Sequence, residues 1–139
     1  MSKKFSNPFD RWEMPEAVMD GLESRHTVPQ YSFIVLMNGE PVAKCIYQIP
    51  RGGFRSGMEK AWTYFSARTP EGKWLSAYVG EGGCGYDKAC AGMNHAANAI
   101  GIPRPEKDRY CHMSRHSIVD YIADWHGVDR SSLEIVDLI

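Results

Sequence analysis

Two β-rich runs flank Asn38-Gly39 in YSFIVLMNGEPVAKCIYQI, residues 31–49. An Asn-Gly pair between apolar runs is among the strongest short-range signals for a β-hairpin. The first run, from Phe33 to Met37, is apolar without alternation. This pattern predicts a strand that is covered on both faces or nearly so.

A second hairpin is predicted in AWTYFSARTPEGKWLSAYVG, residues 61–80, where Pro70 and Gly72 suit a type I turn followed by a glycine bulge. If Thr69 faces Lys73, the turn fixes the remaining pairs as Arg68–Trp74, Ala67–Leu75, Ser66–Ser76, Phe65–Ala77, Tyr64–Tyr78 and Thr63–Val79. One face of the hairpin is then small and apolar. The other, which we call the aromatic face, carries Trp62, Tyr64, Trp74 and Tyr78 with Arg68.

Two helices and a closing strand are predicted in the second half. Asp87 is placed to cap a helix from Lys88 to Ile100, and Gly101 to end it. Its apolar stripe consists of Ala89, Met93, Ala96, Ala97 and Ile100, and its exposed edge of Lys88, Asn94, His95 and Asn98. A second helix, within residues 114–127, would bury Ile118, Val119, Ile122 and Ala123 and stop at Gly127, before a short strand in SLEIVDLI.

This order of elements predicts an α+β fold. The expected architecture is a mainly antiparallel, four- to five-stranded sheet from two hairpins plus a C-terminal strand, with two helices packed on one face. A chain of 139 residues fits one domain. We interpret residues 1–29, which are interrupted by three prolines, as an N-terminal arm and residues 30–139 as the single α+β domain.

Composition and charge narrow the classes of partner. The net charge of -1 argues against strong non-specific DNA binding, which requires a basic excess. No apolar run approaches the roughly 18 residues of a membrane span, and the first residues contain no hydrophobic region typical of a secretory signal. We therefore expect a cytoplasmic protein with no membrane partner, whose four cysteines are reduced.

The segment GEGGCGYDKACAGMNHAANAIG, residues 80–101, is the first candidate for ligand contact. Open backbone amides at a helix start attract anions, and here Gly83, Gly85 and Tyr86 precede Lys88, with His95 further along the helix. The segment is not a Walker A motif, because neither the spacing to Lys88 nor the residue after it fits. The alternative interpretation is that the glycines only turn a tight corner between a strand and a helix.

Two other segments are candidates. Arg51 and Arg55, in the glycine-containing connection between the hairpins, are suited to closing over an anion, and the alternative is an ordinary solvated loop. On the aromatic face, Trp62 and Tyr64 are suited to stacking on a nucleobase or anchoring a protein. The alternative there is that the N-terminal arm or a second copy of the chain covers the face.

The thiols and imidazoles form no recognisable metal motif. The spacing of Cys84, Cys90, His95, Cys111, His112 and His116 matches no zinc pattern, so we expect neither a metal nor another cofactor. Cys84 near a helix start, with His95 or His112 as base, is a candidate nucleophile. The flanking residues are not those of a typical nucleophile, and we favour a protein without catalytic residues.

The stretch WLSAYVGEGGCGYDKACAGMNHAANAIG, residues 74–101, resembles a pattern found in small proteins encoded on bacteriophages and plasmids. In that pattern a strand runs into G-G-aromatic-G-Y-H/D-K-x-S-A-A, followed by a helix with a Gly-Ile end. The matching residues are Gly82, Gly83, Gly85, Tyr86, Asp87, Lys88 and Ala91. Cys84 stands where the pattern has an aromatic residue, and Cys90 where it has serine.

The resemblance implies a small accessory protein of a mobile element, acting in the host cytoplasm. We expect it to bind a host defence complex stoichiometrically, as an anti-CRISPR-like inhibitor, as a monomer or a homodimer. One alternative is a sponge for a cyclic or phosphorylated nucleotide, held by Lys88, Arg51, Arg55 and a stacking aromatic side chain. The other is a small enzyme that uses Cys84 or His95.

Overall fold

The sheet has five strands in the spatial order β4-β3-β2-β1-β5, and every neighbouring pair is antiparallel. The computed structural model describes residues 27–50, 60–82, 86–109 and 113–137. The strands are β1 Thr27–Met37, β2 Glu40–Pro50, β3 Lys60–Arg68, β4 Trp74–Gly82 and β5 Leu133–Asp137. The helices are α1 Tyr86–Ile100 and α2 Arg115–His126, with short 3₁₀ turns at Glu106–Asp108 and Arg130–Ser132. The predicted α+β class is confirmed.

The first hairpin turns at Asn38 and Gly39, as predicted. Both residues have positive φ, 51° and 84°, and Met37 pairs directly with Glu40 across the two-residue loop. Asparagine and glycine tolerate the left-handed region that this turn requires. Strand β1 begins at Thr27, three residues inside the segment interpreted as an arm, while residues 1–26 lie outside the described part of the chain.

The second hairpin has the predicted register. Thr69 N donates to Lys73 O at 2.7 Å, and Gly72 adopts a φ of 94°. All six pairs predicted from the turn are present, from Arg68 opposite Trp74 to Thr63 opposite Val79. The register follows from local turn chemistry, because a single glycine in the left-handed region sets the count of residues on each strand.

Helix α1 buries the predicted stripe, with Ile100 half-buried, and ends at Gly101. Gly101 N and Ile102 N both donate to Ala97 O, at 3.0 and 3.1 Å, and Gly101 has a φ of 84°. Two details of the prediction were wrong. Asp87 is the second helical residue and not the residue before the helix, and Asn94 is buried where an exposed side chain was expected.

Helix α2 has a defined cap at each end. Ser114 Oγ accepts from Ser117 N at 3.1 Å at the N-terminus, and Gly127, with a φ of 66°, stops the helix as predicted. The predicted stripe is buried throughout: Ile118, Val119, Ile122 and Ala123. These side chains form one apolar core with the sheet and with Met93, Ala96 and Ala97 of α1.

The two faces of the sheet differ, because side chains alternate along each strand. The helix-covered face presents Phe33, Val35, Ala43, Cys45, Phe65 and Ala67 to the core. On the opposite face, which includes the aromatic face, Ile34, Lys44 and Ile46 are fully buried. The run Phe33 to Met37 was predicted to be covered on both faces or nearly so, and this is confirmed for Phe33, Ile34 and Val35, whereas Leu36 and Met37 are half-buried. Within the described ranges, no helix is long and apolar enough to cross a membrane.

Candidate functional site

The aromatic face centres on a stacked pair at the β3–β4 end of the sheet. The rings of Trp62 and Tyr78 lie 4.7 Å apart, centroid to centroid, with an interplanar angle of 26°. Gly80 lies directly opposite Trp62, and a Cβ there would come within 3.0 Å of three atoms of the indole. The glycine therefore leaves the space that the Trp62 ring occupies. Partial burial raises the pKa of the Tyr78 hydroxyl above its usual value.

Hydrogen bonds between hydroxyl groups connect the two strands beside this stack, toward the turn. Tyr64 Oη and Ser76 Oγ lie 3.3 Å apart, and Ser76 Oγ donates to Ser66 Oγ at 3.2 Å. Tyr64, one of the predicted ligand-binding residues, is buried and sits below the surface of the face. The hydroxyl network and the fixed register hold the neighbouring rings in place before any partner binds.

Trp74 is the most exposed aromatic residue of this face, with 39% of its surface accessible. It lies opposite Arg68, which is half-buried, at the turn end of β4. Strand β4 is an outer strand of the described sheet, and its side chains Trp74 and Ser76 are exposed on this face. The accessible part of the aromatic face therefore consists of Trp62, Trp74, Tyr78 and Arg68.

Lys88 and His95 lie on the other side of the sheet. Both are exposed and sit seven residues apart on α1, so they point in similar directions. Helix α1 packs against the face that carries Thr63 and Phe65, because Gly92 lies in contact with Thr63. The structure therefore separates Lys88 and His95 from Trp62 and Tyr64, which the nucleotide hypothesis had placed around one ligand.

Of the remaining predicted ligand-binding residues, only Tyr86 lies within the described part of the chain. Tyr86 is the first residue of α1. Arg51, Arg55, Gly83 and Gly85 lie outside the described residues, as do Cys84, Cys111 and His112. Of the other metal candidates, His95 and His116 are exposed and Cys90 is buried.

A polar cluster that was not predicted ties the loop after α1 to the helix. Arg104 donates to the side-chain oxygens of Asn94, at 2.7 Å, and of Asn98. The amide groups of Asn94 and Asn98 donate to Arg109 O at 3.1 and 2.8 Å. A surface pocket of about 210 Å³ lies beside Arg104 and Arg109. Because the Arg104 guanidinium already bonds to the helix, we regard the cluster as structural.

Two thiols approach each other beneath α1. Cys45 of β2 and Cys90 of α1 are buried cysteines, and the pKa of Cys45 is raised from 9.0 to about 12 by burial and, to a smaller degree, by Cys90. Their proximity had no sequence signal, since 45 positions separate them. Within the described ranges, no group of three or more His, Cys, Asp or Glu side chains could hold a metal ion.

No protein-family model matches the chain, and no curated protein or solved structure is significantly similar to it. The resemblance of residues 74–101 to the pattern of mobile-element proteins therefore stays a prediction.

Proposed function

We propose that the protein acts by stoichiometric binding and that the aromatic face is its contact surface for a partner protein. The single observation that carries this proposal is the cluster of Trp62 and Arg68 on β3 with Trp74 and Tyr78 on the neighbouring outer strand β4. Tryptophan, tyrosine and arginine are the residues that most often dominate the binding energy of protein interfaces. The partially exposed rings can bury large areas at small entropic cost.

The rigidity of the face supports the same proposal. The Trp62–Tyr78 stack, the Tyr64–Ser76–Ser66 hydrogen bonds and the bulged turn fix the rings on two paired strands. A preordered surface loses less side-chain entropy when it binds. Such a surface suits a tight inhibitor that blocks its target by occupying it.

The kind of partner is inferred from the resemblance to mobile-element accessory proteins. We propose that the partner is a host defence complex and that the protein inhibits it in the anti-CRISPR manner. A nucleotide sponge is the second candidate, because stacked aromatic rings also bind bases. The position of Lys88 weighs against it, since Lys88 belongs to the helix that covers one face of the sheet and Trp62 lies on the other face.

A panel of cyclic and phosphorylated nucleotide signals separates the candidates. The purified protein is incubated with a limiting amount of each nucleotide, and free nucleotide is quantified before and after heat denaturation of the protein. We expect no depletion of any nucleotide. Depletion followed by release of intact nucleotide on heating would contradict the proposal and show that the protein is a nucleotide sponge. Release of chemically altered nucleotide would contradict it and show that the protein is an enzyme.

Phage plating tests the inhibitory role directly. The chain is expressed in bacteria that carry one defence system each, and plating efficiency is compared with that on cells without the chain. We expect restored plating with at least one system, and loss of that effect in Trp74→Ser. Tyr31→Ser is the matched control, because Tyr31 is 40% exposed, almost equal to Trp74 at 39%, and lies near the helix-covered face. Restored plating that survives Trp74→Ser would contradict the assignment of the surface.

A further inference from the structure

Three sulfur-bearing side chains surround one small cavity between the sheet and α1. Cys45 points from β2 toward the helices, and Cys90 and Met93 are three residues apart on the buried side of α1. All three are buried. The cavity measures about 30 Å³, which is the space of one water molecule or one bare ion.

We propose that Cys45, Cys90 and Met93 form a binding site for a single soft monovalent metal ion of the Cu(I) class. Thiolate and thioether sulfurs are the ligands that select Cu(I) over harder ions. Cu(I) is satisfied by two or three such donors, whereas structural zinc takes four, with no thioether among the usual ones. Because one of the three donors is a thioether, the site contains only two titratable ligands.

The rest of the cavity wall favours the same class of ion. Phe33 and Ala89 line it without a ligand atom, and the oxygens on the other lining side chains are the neutral phenol hydroxyls of Tyr31 and Tyr47. A strongly hydrated cation such as Mg²⁺ would therefore lose its water without gaining the carboxylate ligands that it prefers. Arg115 also lines the cavity, with its guanidinium carbon 5.7 Å from the centre of the Phe33 ring and an ion pair to Asp137 at the surface. The positive charge of Arg115 would therefore lie close to the negative charge of a metal ion bound by two thiolates.

Binding requires proton release and no change of oxidation state. Two S–H bonds break, two metal–thiolate bonds form, the Met93 sulfur donates a lone pair, and two protons pass to solvent. Two thiolates and one Cu(I) leave a net charge of -1 beside the guanidinium of Arg115, which also pairs with Asp137. Because burial raises the pKa of Cys45, its thiol stays protonated until the metal displaces the proton.

The test uses Cu(I) itself and a protein in which Cys84 and Cys111 are replaced by serine, so that Cys45 and Cys90 are the remaining thiols. Under anaerobic conditions, the protein competes for Cu(I) with a coloured Cu(I) chelator, and X-ray absorption gives the ligand atoms. We expect one Cu(I) per chain with sulfur-only coordination. We also expect complete loss of binding in Cys90→Ala and at least tenfold weaker binding in Met93→Leu.

Met113→Leu is the matched control, because Met113 is also buried in the core but does not line the cavity. It should bind Cu(I) as tightly as the parent, and circular dichroism verifies that each variant is folded. If the parent withdraws no Cu(I) from the chelator, the proposal is wrong. It is also wrong if folded Cys90→Ala keeps the ion, or if Met93→Leu and Met113→Leu bind equally well.

Discussion

Gly92 is the residue at which helix α1 comes closest to the sheet. A Cβ at this position would overlap Thr63 Oγ1 and lie 3.2 Å from Thr63 Cβ. Alanine gains about 1 kcal/mol of helix propensity over glycine, whereas overpacking a core costs about 1–3 kcal/mol. Thr63 is buried on an inner strand and cannot swing away, so we predict that the clash outweighs the gain and that Gly92→Ala lowers the free energy of unfolding by up to about 2 kcal/mol, measured in urea.

Gly92→Ala in a Thr63→Ala background tests whether the clash with Thr63 is the cause of the lost stability. Thr63→Ala removes Oγ1, the atom that the new methyl would overlap, and leaves only Cβ at 3.2 Å, so Gly92→Ala should cost much less in that background. An equal loss of stability in both backgrounds would show that contact with Thr63 is not the cause.

Cys45 should be chemically inert in the folded, metal-free protein. Because its pKa is about 12, the nucleophilic thiolate is almost absent near neutral pH, and the side chain is buried. With the other three cysteines replaced, we predict that a thiol reagent labels Cys45 only as fast as the protein unfolds, and rapidly once urea is added. Fast labelling of the native protein at pH 7 would contradict the burial of this thiol.

The same thiol makes the stability depend on alkaline pH. Unfolded Cys45 loses its proton near pH 9.0 and folded Cys45 near 12, so the folded state holds the proton more tightly. The stabilisation is fully present below about pH 9 and is lost as pH rises toward 12. We predict a smaller alkaline loss of stability in Cys45→Ala than in the parent, and parallel curves would refute the prediction.

At the scale of elements, the loop after α1 depends on two asparagines. Asn94 and Asn98 both bond to Arg104 and to Arg109 O, but Asn94 is 5% exposed and Asn98 is half-buried. A buried polar group that loses its hydrogen-bond partner costs about 1–3 kcal/mol of stability. Water can replace more of the lost hydrogen bonds at Asn98, because Asn98 is the more exposed of the two. We therefore predict a larger drop in melting temperature for Asn94→Ala than for Asn98→Ala. Equal drops, or the reverse order, would contradict this role of burial.

The elements that sequence predicts well are those with local signals. Asn38-Gly39 and Gly72 set two hairpins through their left-handed backbone, and Gly101 and Gly127 end two helices in the same way. Asn94 shows the opposite case. Its helical position implies an exposed edge, but Arg104, ten residues later, folds back and buries it. A partner supplied by a returning loop leaves no periodic pattern.

At the scale of the whole molecule, strand alternation made the two faces of the second hairpin predictable. The sequence did not reveal which face α1 covers, and hence that Lys88 and His95 lie apart from Trp62 and Tyr64. It also did not reveal that Cys45 and Cys90 meet, since their approach depends on packing between a strand and a helix. The sequence therefore indicated which residues have suitable chemistry, but it did not indicate which of them lie together in one site.

The central claim is that the accessible part of the aromatic face binds a partner protein at a fixed ratio. The tagged chain is recovered from bacteria whose defence it blocks, and the molar ratio of retained partner is measured for the parent, Trp74→Ser and Tyr31→Ser. Because a central interface tryptophan contributes about 2 kcal/mol or more, we predict a constant ratio for the parent and Tyr31→Ser, and at least tenfold weaker retention by Trp74→Ser. Full retention by Trp74→Ser, or equal loss in both variants, would contradict the claim.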